Sequence, residues 1–202
     1  TERRPAAERV VLVEDTPELP AASLRDADRV VQRLHTDPGA GAAPTPTAAV
    51  RTALRLGDGA LVVGEVRGSE AAALYEAMRV GAGGDTVLGT IHGASGAEVR
   101  ERVVEDLDVA PSAFASTDLL VTLADHEVTA IREVCGGRGH GGPDDAGDVR
   151  FEPLFERGTD GLVPTGRIDR GESGLVAGLA TPAESYADVL RHVDGRTATL
   201  RE

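Results

Sequence analysis

Three short apolar runs, at positions 9–13, 60–63 and 86–91, each give way at the carboxyl end to polar or charged side chains. Stretches with helical spacing stand between them. Strand alternating with helix argues for an α/β fold built on a parallel sheet. In such sheets ligands bind in the crevice outside the carboxyl ends of the strands. If these three strands lie parallel, Glu14 and Asp15, then Glu65, then His92 converge on one crevice. The competing reading of each residue alone is a solvated side chain at a strand end.

The connecting segments support the alternation. Thr47 is a fair N-cap for a helix reaching Leu56, with Arg51 and Arg55 four apart on one face. Ser69 is suited to cap a helix whose apolar stripe is Leu74, Tyr75 and Met78 and whose C-cap is Gly81, before a turn at 83–85. Ser95 and Glu98 form a capping-box pair ahead of Val99, Val103 and Leu107, which recur every fourth residue. Residues 119–123 and 128–135 read as two strands joined at Asp125-His126, a hairpin closing the sheet edge. Residues 136–148 have the composition of an exposed loop. A strand follows at 151–155, and Thr181-Pro182 with Glu184 starts a helix carrying Tyr186, Val189, Leu190 and Val193. The expected organisation is a core at 1–135, a flexible loop at 136–150, and a C-terminal strand and helical appendage at 151–202.

Composition narrows the function. Thirty-four Asp and Glu against 21 basic residues leave a formal charge of −13, which argues against a nucleic-acid groove. An acidic surface suits solubility in high salt, and an acidic mesophile of high genomic GC content is the alternative. Cys135 is the single cysteine, so no intrachain disulfide forms. No apolar stretch reaches the roughly 18 residues of a membrane-spanning helix, and no signal peptide opens the chain, so a cytoplasmic location is expected. Cys135 with His140 is too sparse a set for zinc.

Three motifs stand in order. Glu14-Asp15-Thr16-Pro17-Glu18-Leu19 resembles the Asp box of the type II/IV secretion-system ATPases, which drive pili, archaella and secretion machines. Val62-Val63-Gly64-Glu65-Val66-Arg67-Gly68 resembles their Walker B region, and Thr90-Ile91-His92 their His box. The likeness runs from about Arg9 to Glu133 and is closest to haloarchaeal members. It implies a RecA-like P-loop NTPase core, a mostly parallel sheet flanked by helices with a small C-terminal helical appendage. It also implies ATP and Mg²⁺ as cofactors, a homo-hexamer, and a membrane platform protein as partner, holding the motor at the inner face of the cell membrane.

The resemblance also assigns roles. Glu65 orients or deprotonates the water that attacks the terminal phosphate. His92 donates to the γ-phosphate and senses its loss, with Thr90 as a helper. Glu14 and Asp15 bind a water of the Mg²⁺ shell or hold a basic residue near the phosphates. Gly64 stands where many phosphate-loop ATPases place a metal-binding Asp, so the chain supplies no direct metal ligand there. Arg67 neutralises developing charge beside Glu65, and Arg51 and Arg55 are candidates for an arginine finger.

All 21 basic residues are arginine, so no G-x-x-x-x-G-K-[ST] loop exists in the chain. Family members carry that loop just upstream of the matching region, and a core truncated before the P-loop is the expectation. Alone, such a fragment is expected to be inactive. The alternative is a catalytically dead assembly or regulatory subunit that docks into such a ring.

Overall fold

A strand that is apolar on both faces is stable only with both faces covered. β1 (Arg9–Glu14) meets that condition inside a four-stranded parallel sheet, with Val11, Leu12, Val13 and Glu14 all buried. The computed structural model describes residues 9–37, 43–56, 59–80, 86–136, 149–159 and 161–200. β2 (Val30–His35) lies on one side of β1 and β3 (Gly59–Val63) on the other, and β4 (Thr86–Gly89) follows β3, giving the order β2-β1-β3-β4. The register sets Glu14 beside His35, Val13 beside Val63, and Val63 beside Gly89. All four strands therefore end at the same edge.

Helices α1 (Ala21–Asp26), α2 (Pro46–Arg55) and α3 (Glu70–Val80) make the three crossovers. Ala49, Val50 and Ala53 of α2 and Ala71, Leu74, Tyr75 and Ala77 of α3 are buried with Leu61 and Val63 of β3. With so few aromatic residues the core is mostly aliphatic, and within it Tyr75 stacks on Phe114 with ring centroids 6.0 Å apart. α4 (Gly96–Glu101) runs into a π-helical turn, Arg102–Asp106, and α5 (Pro111–Phe114) completes this part.

Two expected caps differ. α2 is capped by Thr45, whose hydroxyl accepts from the Ala48 amide at 3.3 Å, because Pro46 presets the first helical residue. The Thr47 hydroxyl instead meets that of Ser69 at 2.9 Å. At the start of α3 the buried Glu70 carboxylate takes the amides of Arg67 and Gly68, at 2.7 and 2.9 Å. α1 and β2 had no counterpart in the sequence reading: β2 is an edge strand of mixed exposure, and its Gln32 and Arg33 blur the apolar signal.

The remainder forms a second unit. β5 (Leu119–Ala124), β6 (Glu127–Cys135), β7 (Arg150–Gly158) and β8 (Gly161–Pro164) make an antiparallel sheet in that order. The expected hairpin is present: Asp125 and His126 have φ of 51° and 64°, the left-handed pair of a type I′ turn. It does not close the edge of the parallel sheet, because β6 pairs with β7 instead. By contacts the chain divides into Glu2–Gly93 with Ala97–Ser116, and Ala94–Gly96 with Thr117–Glu202. The division thus precedes β5 instead of following Cys135. The C-terminal part carries the expected helix, α7 (Tyr186–Leu200), and a short one that was not expected, α6 (Gly174–Gly178), together with this sheet. The capping box of α7 is Ser185 with Asp188, one turn beyond the expected Thr181–Glu184 pair, whose side chains bond to each other at 2.6 Å. Gly81, the turn at 83–85, residues 137–148 and His140 lie outside the described residues. No helix among the described residues is long and apolar enough to cross a membrane.

Candidate functional site

The chain leaves β1 toward β2 and leaves β3 toward β4, so the strand order reverses between β1 and β3. Open α/β sheets bind ligands at such a reversal, outside the carboxyl ends of the strands. Glu14 and Gly64 meet there. A Cβ on Gly64 would stand 3.2 Å from the Glu14 Cβ, tighter than an ordinary contact, and the Gly64 amide donates to the Val13 carbonyl at 2.8 Å. The glycine lets the chain after β3 press against β1 before turning outward at Glu65.

Glu14 and Glu65 have different surroundings. Glu14 is 4% exposed; its Oε2 accepts the amides of Glu18 and Leu19, each at 3.0 Å. Its Oε1 lies 2.6 Å from Arg33 Nε, a close charge contact without the alignment of a hydrogen bond. Both oxygens are thus committed to the loop after β1 and to β2. Asp15 is more open: Oδ1 accepts the Thr16 amide at 2.7 Å, and Oδ2 lies 3.7 Å from Arg67.

Glu65 is ion-paired through Oε2 with Arg67, while Oε1 is 3.2 Å from His92 Nε2. Its side chain keeps 22% exposure, against 61% for Arg67 and 80% for His92, so the cluster opens to solvent. The Arg67 hydrogen bond holds the Glu65 carboxyl below its ordinary pKa; partial burial opposes this, and the charges of Arg67, His92 and Arg102 add to the lowering. Glu65 is therefore an anion across the neutral range. A base so weak is better suited to orienting a water than to removing its proton early.

The placement of His92 rests on two ties. The Thr90 hydroxyl donates to the Gly64 carbonyl, and the Val66 amide donates to the Thr90 carbonyl at 2.8 Å, so the segments after β3 and β4 are tied to each other. Beyond His92, Gly93 packs so closely on α4 that an added Cβ would lie 2.7 Å from Val99. The structure thus brings together Glu65, Arg67, His92 and Asp15, with Gly64 and Thr90 as framework and Glu14 at the base. Arg51 and Arg55 are exposed on α2, and no ion pair joins them to this cluster among the described residues. Arg102 was missed by the sequence reading, because a single arginine on a helix face carries no motif of its own.

The donor set fits a magnesium nucleotide in one specific way. No group of three or more His, Cys, Asp or Glu among the described residues could hold a metal ion. Gly64 offers no side chain, and Glu14 is fully engaged. Asp15 and Glu65 are the acids with room for a bound water, as suits a magnesium ion held chiefly by phosphate oxygens and water.

The profile of a family described as "Type II/IV secretion system protein" matches residues 3–160. Among solved structures, the X-ray structure of the Legionella pneumophila ATPase DotB is similar at a TM-score of 0.47 and 16% sequence identity. That match covers 93% of this chain and 42% of the other, so this chain spans less than half of its length. No curated protein sequence matches.

Proposed function

The chain belongs to the type II/IV secretion system protein family, and we propose that it forms the Glu65-bearing part of the hydrolytic site in an ATP-driven secretion or pilus motor. The observation that carries this reading is the grouping of Glu65, Arg67 and His92 at the strand ends next to the β1/β3 reversal. A bound magnesium triphosphate supplies the electrophilic phosphorus and most of the metal's ligands. Glu65, held ionised by Arg67, orients the attacking water and takes its proton late. Arg67, two residues on and largely exposed, supplies positive charge where negative charge develops. His92 reaches Glu65 from the end of β4 and links the state of the phosphate to the loop ahead of α4. Asp15 holds Arg67 from the other side, and Glu14 fixes the floor.

The phosphate loop is contributed by a segment outside these 202 residues, since no lysine is present. Alone, the chain binds nucleotide weakly. In the longer protein it works as a homo-hexamer in the cytoplasm, attached at the inner face of the membrane through a platform protein. An acidic, lysine-free composition suits a high-salt cytoplasm of the haloarchaeal kind. The test is ATPase activity in molar KCl of the chain joined to its phosphate-loop segment, parent against Glu65→Gln. The expected result is loss of at least a hundredfold in the variant, in line with removing a group that acts at the transition state. A folded parent without activity at any salt concentration would shift the assignment to a catalytically dead subunit that docks into such a ring.

A further inference from the structure

Each oxygen of the Glu65 carboxylate faces a basic side chain: Oε2 is ion-paired with Arg67, and Oε1 is 3.2 Å from His92 Nε2. An oxygen that already accepts from a guanidinium is a poor acceptor for the proton of a water. Arg67 is the neighbour for which a phosphate competes, because its charge is permanent while that of a histidine depends on pH. Its backbone is fixed, since the amides of Arg67 and Gly68 both donate to the buried Glu70 carboxylate, at 2.7 and 2.9 Å. Its side chain is 61% exposed and meets Glu65 through Nη2, while Nη1 stands 3.7 Å from Asp15 Oδ2, beyond hydrogen-bond reach. An ion pair this open to solvent favours contact over separation by about fivefold at most. A guanidinium set against a phosphate makes two parallel charge-assisted bonds and is the stronger pair.

We infer that Arg67 masks Glu65 in the nucleotide-free chain and turns to the terminal phosphate of a bound nucleoside triphosphate, uncovering Oε2 for the attacking water. The inference rests on the nucleotide reading of Glu65. The clamped backbone keeps the arm at the site while its end changes partner, and the Asp15 charge on its other side holds it near. The bond that is given up is the main cause of the lowered Glu65 pKa. Its release makes Glu65 a stronger base at the step where a proton has to be taken. A diphosphate offers no terminal phosphate, so Arg67 stays on Glu65 and the carboxylate stays masked.

The test is a double-substitution cycle on the affinity of a non-hydrolysable ATP analogue for the chain joined to its phosphate-loop segment. Glu65→Gln ends the competition for Arg67 and also removes a negative charge near the phosphates; in an Arg67→Gln background only the second effect remains. The gain in affinity from Glu65→Gln is therefore expected to be about two- to fivefold larger with Arg67 present than with Arg67→Gln. With ADP the two gains are expected to be equal. Both side chains are partly exposed, and far-ultraviolet circular dichroism checks that each variant folds. Equal gains with the analogue would mean that Arg67 does not change partner, and would overturn the inference while leaving the site intact. An excess of the same size with ADP would overturn it too, because the terminal phosphate would not be the trigger. A parent that binds neither nucleotide would remove the nucleotide reading itself, and this inference with it.

Discussion

The two sheets each bury a carboxylate, and the contrast lies in what stands next to it. In the antiparallel sheet Glu133 is 3% exposed, and its Oε1 accepts the Leu175 amide at 2.7 Å, tying β6 to the first turn of α6. Nearby charges are likewise engaged within the fold: Arg167 lies 3.3 Å from Glu152 and 3.7 Å from Glu172. Burial raises the pKa of the neighbouring Cys135 thiol, with Glu133 and Glu152 adding to the effect, so this cysteine is kept as an unreactive thiol. In the parallel sheet Glu14 has the same structural part as Glu133. Two residues past the end of β3, however, Glu65 remains partly solvated among cations that exceed its needs. Both parts hold buried polar atoms without a hydrogen-bond partner, Glu133 Oε2 and Arg167 Nε in one and Glu14 Oε1 and Arg33 Nε in the other, so the difference lies in access: Glu65, Arg67 and His92 open to solvent. Chemistry is therefore expected at one sheet and architecture at the other.

Substitution can break that contrast. The largest effect on stability is expected from Glu14→Ala, which strands Arg33 and two loop amides. Arg33 is a third exposed and regains water, so the expected cost, chiefly from the two stranded amides, is about 2–4 kcal/mol, to be read from chemical denaturation. A loss under about 1 kcal/mol would mean that Glu14 is not the floor of the site. Glu133→Ala is expected to cost about 1–3 kcal/mol by leaving the Leu175 amide without its acceptor, with the first loss of hydrogen-exchange protection at α6. The smallest effect belongs to Glu65→Gln, about 0.5 kcal/mol or less at neutral pH, although the same change is expected to abolish hydrolysis. Its pH dependence sharpens the point. Because the folded pKa of Glu65 is lowered, its ion pair contributes fully above the unfolded carboxyl value, about 4.3, and that contribution is lost as pH falls through the lower folded value. The small stability gap between parent and variant should therefore close on acidification below about pH 4. A gap that widened there would contradict the direction of the shift.

Much of the parallel sheet was legible because its signals are local. β1 is a continuous apolar run, β3 and β4 end in distinctive polar residues, and the Asp125-His126 turn sits between two patterned strands. α1 and β2 were not legible, since an exposed edge strand carrying Gln32 and Arg33 has no periodicity to detect. The helix over 96–107 was expected from its apolar spacing, but its π-turn was not: that spacing fixes which face is buried, whereas the extra residue in the turn is settled by how Val103 and Val109 pack. Of the site, Glu65, Arg67, His92 and Asp15 were named from sequence and the structure places them together. Arg51 and Arg55 were named on the same footing and are exposed on α2, where no ion pair among the described residues joins them to the cluster.

By itself the sequence determined an α/β alternation, three ordered strand-end motifs, a strongly acidic chain and the absence of any lysine for a phosphate loop. Each is a property of residue type and spacing along the chain. Only the tertiary structure decided that Glu14 is consumed by Arg33 and two amides while Glu65 stays partly solvated, that β5 and β6 belong to a second sheet, and that a π-turn follows α4. Those outcomes depend on which groups meet through space. Glu14 and Glu65 are both glutamates in sequence, and only their neighbours, drawn from 19 residues away for Arg33 and 27 for His92, make one a buried brace and the other a partly solvated carboxylate between two cationic side chains.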